Sequence, residues 1–517
     1  MGRRRILVVG GASILAAGGL LVPQAAQARS VSTGAPARPS GAGSSTSATR
    51  TRVASVAPGV WQKFSSGTVS SFVNVGLLRT ADGHLHAVWV TTNKFDDEDI
   101  RSTTFALSGG ILHNGAAISH WFGLGDALSL VPDGTGLRVV FDGGQDGNNK
   151  NPFSIGTVYT ATSTNGNSWT LVNGSLSSHT AFNQYDAATT EKDGTPVASQ
   201  GLNNTLYFHV GVDPSIPAKT LDSTFTHGSA YDLENNALVR NSDGTIYEAW
   251  YEGSNTQPGY WIRQILTPQG TPKLGTPMLA PHSKDTNLPD NEPHGPIGLA
   301  ARTGGGVYLA YCVPTKALAC AHIDLWKVGS STAKVVPGSS GHDVRHVSLS
   351  AGPKGRLVVA WFDNTKDVID VVRTNTSATG FGVVRTVKNP IKQSDFANFD
   401  GLFSESSSGR IDLVAAVQQG SNGAPVNLYH TQVLEGLTIK ASPTKVSHAK
   451  STAVTFTVTD AGQAVSGATV TFLGHKAHTN SHGVAKITVA KGHAKGTVTA
   501  TASKSLYYKG VCSVKIT

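Results

Sequence analysis

The stretch Asn236–Glu252, NALVRNSDGTIYEAWYE, is an apolar run, a turn ending in Gly244 and a second run of alternating apolar residues. Glycine supplies the positive φ of a tight hairpin, so this is the pattern of two antiparallel strands. It recurs along the chain: VGLLRTADGHLHAVWV, ALSLVPDGTGLRVVFD, DAATTEKDGTPVASQ, IGLAARTGGGVYLAYC, VSLSAGPKGRLVVAWFD and GLFSESSSGRIDLVAAV. The other turn glycines are Gly83, Gly134, Gly194, Gly305, Gly355 and Gly409. A spacing of about 50–60 residues fits one four-stranded propeller blade per copy. Further strand-like runs lie between copies, such as GTVYTAT, TLYFHV and GYWIRQIL. The expected fold is all-β, a propeller of seven blades over residues 56–436, or six if the third or seventh copy is not a blade. The last copy lacks a fourth strand. The orphan run GVWQKFSS before the first copy is expected to complete it and close the ring.

The ends read differently. Residues 1–28 combine Arg3, Arg4 and Arg5, an apolar stretch and the small-residue site Ala26-Gln27-Ala28, the pattern of a secretory signal peptide. A twin-arginine route is an alternative to general export. No other segment is apolar enough to span a bilayer. Residues 29–55 are Ser, Thr, Ala, Gly, Pro and Arg, a composition expected to stay disordered. The chain is expected to be secreted, extracellular or associated with the cell wall.

The formal net charge of +9 is unevenly spread. Residues 438–517 hold ten lysines and one carboxylate, Asp460, whereas residues 53–437 carry more acids than bases. A basic tail can hold an exported protein near an anionic cell-surface polymer; a merely solvated surface is the alternative. Cys312 and Cys320 flank VPTKALA between two strand-like runs and are expected to form a disulfide in an oxidising compartment. Cys512 reads as a buried strand residue.

Within the second copy's unit, STNGNSWT carries Ser163, Asn165, Gly166 and Trp169. This resembles the Asp-box, or BNR repeat, of the sialidase superfamily, with Asn165 in place of Asp. The resemblance implies a structural turn on the face opposite an active site. The tail, from about Leu437, resembles bacterial Ig-like domains at Val465, Gly467, Ala468, Val470, Phe472, Thr479, Gly483, Ala485 and Ile487. That implies a small β-sandwich over 437–517 serving as a spacer or binding module. The sialidase reaction itself is not implied, because the family's Phe/Tyr-Arg-x-Pro motif has no counterpart at SSFVNVGLLRT.

If the Gly turns share one face, the connections into the inner strands and after the second strands share the other. Candidate catalytic residues on that second face are Asp126, Asp186, Glu252, His294, Asp363 and Asp400. Arg345, Tyr231 and Trp121 are candidate substrate-binding residues. Paired carboxylates suit glycoside hydrolysis, whereas a Tyr or His base beside an Arg suits a polysaccharide lyase. A non-catalytic propeller that binds glycans or a surface remains open. In each case the expected partner is an extracellular polysaccharide or glycoconjugate. No cofactor is required; Asp142 and Asp146 could hold Ca²⁺, with a plain polar loop as the preferred reading.

Overall fold

The computed structural model describes residues 55–517 except 66–67, 70–74, 93–97, 122–127, 142–157, 173–185, 203–204, 212–218, 223–232, 253–257, 285–296, 316–319, 393–395, 408 and 421–424. Residues 53–517 form one compact unit. Among the described residues the structure is strand and turn, with one short 3-10 turn at Pro353–Gly355. No helix among them is long and apolar enough to cross a membrane.

Seven four-stranded antiparallel arrays are described. Their innermost strands are Gly76–Arg79, Leu128–Asp133, Asp186–Thr190, Leu233–Arg240, Gly298–Ala301, Val344–Ala351 and Phe396–Ser407. Each inner strand packs on the next, and the seventh packs on the first. The molecule is therefore a closed seven-bladed propeller, followed by a small β-sandwich.

The second strand of each blade explains the apolar runs in the sequence. In Leu357–Asp363 every residue is buried. Leu357, Val359 and Trp361 face the preceding blade, packing with Ala310, Ile323 and Leu325. Val358, Ala360 and Phe362 face the following blade, packing with Phe399, Leu413 and Ala415. A strand between two sheets has no solvent face, so the polar half of the usual alternation disappears.

Ring closure joins the two ends of the propeller. Gln62–Lys63 is the outermost strand of the seventh blade, with Gln62 opposite His430 and Lys63 opposite Tyr429. The main chain is held further by Phe64 N–H to Leu428 O at 3.0 Å and Gly59 N–H to Gln432 O at 2.8 Å. Beneath this seam Asp412 is fully buried. It accepts from Arg79 of the first blade and from Gln432 Nε2 at 2.8 Å, and His430 Nε2 lies 2.8 Å from it.

The turn Ser163–Trp169 is built from side-chain to backbone bonds. Ser163 Oγ accepts from Gly166 N–H at 2.8 Å, and Asn165 Oδ1 accepts from Asn167 N–H at 2.8 Å. Trp169 Nε1 donates to Gly166 O at 3.1 Å. Asn supplies the acceptor that Asp would supply. The turn also ties two blades together, since Ser102 Oγ of the first blade donates to Gly166 O at 2.9 Å. Gly166 has φ +76°, and a Cβ there would lie 2.2 Å from the His86 ring. Gly166→Ala is expected to lower the unfolding free energy by about 2–4 kcal/mol, because strain and overlap add. Gly134→Ala, at φ +58° with nothing within 4 Å, should cost only about 1 kcal/mol. Urea denaturation of the two variants checks the difference.

The tail forms two sheets around one core that includes Phe456, Phe472, Val470, Ile487 and Val514. It is bolted to the sixth and seventh blades. Arg373 Nε lies 3.1 Å from Glu435, and its Nη2 reaches Asp460. Arg356 lies 3.3 Å from Asp460, and Arg385 stacks 3.9 Å above the Tyr508 ring. The single carboxylate of residues 438–517 is thus buried in the joint. Cys512 is half-buried rather than buried: it packs against the sandwich core from the inner side of the last strand, Gly510–Ile516.

Burial pushes the Glu435 carboxyl up to about 7, with Arg373 opposing the rise. The folded state then holds this proton more tightly than the unfolded chain. The contribution to stability is greatest below the ordinary Glu range and is lost as pH rises through about 7. Glu435→Gln is expected to flatten the fall in melting temperature between about pH 5 and 8, measured by thermal denaturation across that range.

Candidate functional site

Antiparallel order sorts the connections. The Gly turns and the Ser163–Trp169 turn leave one face, and the connections into the inner strands leave the other. The second face is described best from the edge of the fourth blade to the sixth.

A repeated turn builds this sector. The outer strands of the fourth and fifth blades, Met278–Leu279 and Ala333–Val335, each run into a Pro-x-Ser turn. Ser283 Oγ donates to Ala280 O at 2.8 Å and accepts from Tyr260 N–H at 3.1 Å. Ser339 Oγ donates to Val336 O at 2.7 Å and accepts from Ile323 N–H at 3.0 Å. Both serines are buried. Each turn fixes the start of the next connection against its own blade.

In the first of these turns stands His282, with φ +59°. A non-glycine residue in the left-handed region is costly and is held only by its surroundings. Its Nδ1 lies 3.0 Å from Oδ2 of Asp324, a carboxylate that is 2% exposed, while the His282 side chain is 66% exposed. His322 Nε2 approaches the other oxygen of Asp324 at 3.7 Å. Tyr311 Oη donates to Pro281 O at 2.6 Å and so braces the same turn. Burial and the nearby Asp324 raise the Tyr311 pKa, so its hydroxyl stays a donor. Asp324 lies opposite Tyr311 in the fifth blade, and Cys312 and Cys320 are joined across the mouth of that hairpin with Cα atoms 5.0 Å apart.

The sixth blade offers a second group. Asp363 ends its second strand with no exposed surface. Its Oδ1 accepts from Lys366 N–H at 3.0 Å, and Lys366 Nζ lies 2.8 Å from Oδ2. Lys366 is also 3.7 Å from Asp370, and His342 Nδ1 is 3.8 Å from Asp363. The hydrogen bond to Asp363 raises the Lys366 pKa, and burial raises that of Asp370. Asp370 occupies in the sixth blade the place of Asp324 in the fifth, the third residue of the third strand. Arg345, at the rim, is bound to Asp343 at 2.8 Å, and Asn364 Nδ2 donates to the same Asp343 oxygen at 2.7 Å.

Glu252 is buried at the end of the fourth blade's second strand, the position that Asp363 holds in the sixth. Asp186 opens the third inner strand and Asp400 lies in the seventh; their side chains are not described. Asp126, His294 and Tyr231 lie outside the described residues, as do Asp142 and Asp146, the pair considered for Ca²⁺. Among the described residues no group of three or more His, Cys, Asp or Glu could hold a metal ion. Trp121 departs from its expected role. It is fully buried, with its ring edge-on to Phe141 and Tyr159 at 5.1 and 5.0 Å, so it offers no face to a sugar.

The register of the inner strands shifts near this face in the fourth, sixth and seventh blades, at Glu234/Asn236, Arg345/Ser348 and Phe396/Asn398. Such bulges re-aim side chains and gather near functional sites. His282 and Asp324 were not singled out from sequence. The parallel between LAPHS and VVPGSS, and between HIDLW and VIDVV, is the signal that carries them.

Fold and site together describe a propeller with an acid–base sector on one face and a sandwich fastened to the other. No protein-family model and no curated protein matches the chain. Solved structures similar to it include a polysaccharide lyase, Uly1, at 10% identity and TM-score 0.41, covering 69% of this chain and 89% of that one. An ulvan lyase gives 10% identity and TM-score 0.32 over 87% and 94%. An α-L-arabinofuranosidase from Clostridium thermocellum gives 14% and 0.30 over 51% and 93%. These are likenesses of fold, and the chemistry is argued from side chains alone.

Proposed function

We propose that the chain is an exported, glycan-acting propeller whose reacting groups sit between the fourth and sixth blades. The observation that carries this reading is the His282–Asp324 pair. A carboxylate bound to Nδ1 orients the ring and leaves Nε2 on the exposed side as the proton acceptor. The chemistry this suits best is β-elimination in a uronate-containing polysaccharide. The base removes the proton beside the uronate carboxyl, the electron pair forms a C=C bond, and the glycosidic oxygen leaves with a proton. Hydrolysis is the second reading, favoured by Asp363 and Glu252 ending equivalent strands as buried carboxylates. The sandwich is read as an Ig-like module and the Ser163–Trp169 turn as an Asp-box.

The purified exported chain should be incubated with polygalacturonate and with neutral polysaccharides. Elimination yields an unsaturated, ultraviolet-absorbing uronate end. New reducing ends without that absorbance would mean hydrolysis, and retained binding without any new ends would sink the enzyme reading.

A further inference from the structure

The sandwich carries an unbalanced surface charge. All ten of its lysines are exposed, and its one carboxylate, Asp460, is consumed by Arg373 and Arg356 in the joint with the propeller. The charges are also placed together. On the outer face of the five-stranded sheet Lys445 lies directly opposite Lys515, and Thr497 flanks Lys515 on the other side. Like charges facing each other across strands destabilise a sheet, and no exposed acidic side chain of the sandwich offsets this pair. At the far corner Lys476 lies opposite Thr471, which lies opposite Thr501. Thr499 and Ser513 fill the centre, both exposed, and Val511, opposite Thr501, adds one exposed apolar side chain to the face. At about 4.8 Å between strands and 3.3 Å per residue, this hydroxyl face spans ~19 by ~13 Å with lysines at its ends.

We propose that this face docks a carboxylate-bearing polysaccharide and anchors the protein to it. Charge complementarity supplies the attraction, and the Thr and Ser hydroxyls supply neutral hydrogen bonds to sugar oxygens. The same face is poorly suited to a nucleic acid. The sandwich has no arginine for bidentate phosphate contacts. Its phenylalanine and tyrosine rings are unavailable for stacking bases: Phe456 and Phe472 are in the core, Tyr507 bonds to Asp460, and Tyr508 lies under Arg385. The joint involves the Thr374–Phe381 turn and Gly409, which leave the propeller on the Gly-turn face. A polymer held by the sandwich therefore leaves the His282 face free, and the proposal does not depend on the reaction assigned to that face.

The test is affinity electrophoresis of the full chain through gels containing polygalacturonate, neutral dextran or single-stranded DNA. Polygalacturonate should retard the chain, dextran should not, and added salt should abolish the effect. The triple variant Lys445→Gln, Lys476→Gln, Lys515→Gln should bind about tenfold more weakly or worse, and the corresponding triple Lys→Arg variant should bind like the parent. Unchanged melting temperatures would show that both variants fold. His282→Ala should be retarded like the parent, which separates anchoring from chemistry. The proposal is overturned if the parent is not retarded by polygalacturonate, if the Lys→Gln variant is retarded equally, or if DNA is bound as tightly.

Discussion

Asp412→Ala is expected to destabilise the folded chain by about 3–5 kcal/mol. The carboxylate has no exposed surface, and it is the shared acceptor for Arg79, Gln432 and, through its ring nitrogen, His430. Arg79 belongs to the first blade and Asp412, His430 and Gln432 to the seventh. Removing the carboxylate leaves a guanidinium whose side chain is only 9% exposed, at the seam that closes the ring, without its bonded counter-ion and with Gly83 O at 2.7 Å as its remaining hydrogen-bond acceptor. It also removes the acceptor beside His430 Nε2 and one of the two acceptors of Gln432 Nε2, which keeps Leu107 O at 3.0 Å. Replacing an ion pair by packed apolar groups can be neutral, but removing one partner leaves the other's desolvation uncompensated. Asp133→Ala is the control. It breaks the Arg138–Asp133 pair at 3.2 Å, where the carboxylate is 32% exposed, and should cost under about 1 kcal/mol. Equilibrium denaturation of both variants gives the comparison. Equal losses would mean that the seam is held by its strands and not by Asp412.

Much of the architecture is legible in the sequence because a propeller repeats one decision seven times. Each Gly turn marks a hairpin, and apolar second strands such as LVVAWFD are forced by burial on both faces. The terminal strand at Gln62–Lys63 follows from counting strands in the last blade. The site is less legible, for a physical reason. A side chain at a strand end is placed by the neighbouring blade, and sequence separation hides that neighbour. Asp324 lies 42 residues from His282 and meets it only because one blade's outer turn abuts the next blade's third strand. Trp121 misleads in the same way: it reads as an aromatic near the face, but its strand carries it into the gap between blades. The role of Asp460 is equally hidden, since a lone acid in a basic tail gives no hint that Arg373 awaits it 87 residues away.

His282→Ala and Asp324→Asn are expected to reduce turnover in the elimination proposed above by different amounts. Loss of the base should lower kcat by about 10²–10⁴-fold. Asp324→Asn keeps the shape but weakens the acceptor that orients the ring through Nδ1 at 3.0 Å, so a smaller loss in kcat is expected, with KM unchanged. A purely structural role for the pair would instead lower the melting temperature of both variants along with kcat. His322→Ala is a useful third variant, because His322 lies at 3.7 Å from the same carboxylate with its side chain 25% exposed. If His282 is the base, His322→Ala should keep kcat within about tenfold of the parent. A loss as large as that of His282→Ala would transfer the proton-accepting role to His322, and unchanged activity in all three variants would remove this sector from the chemistry.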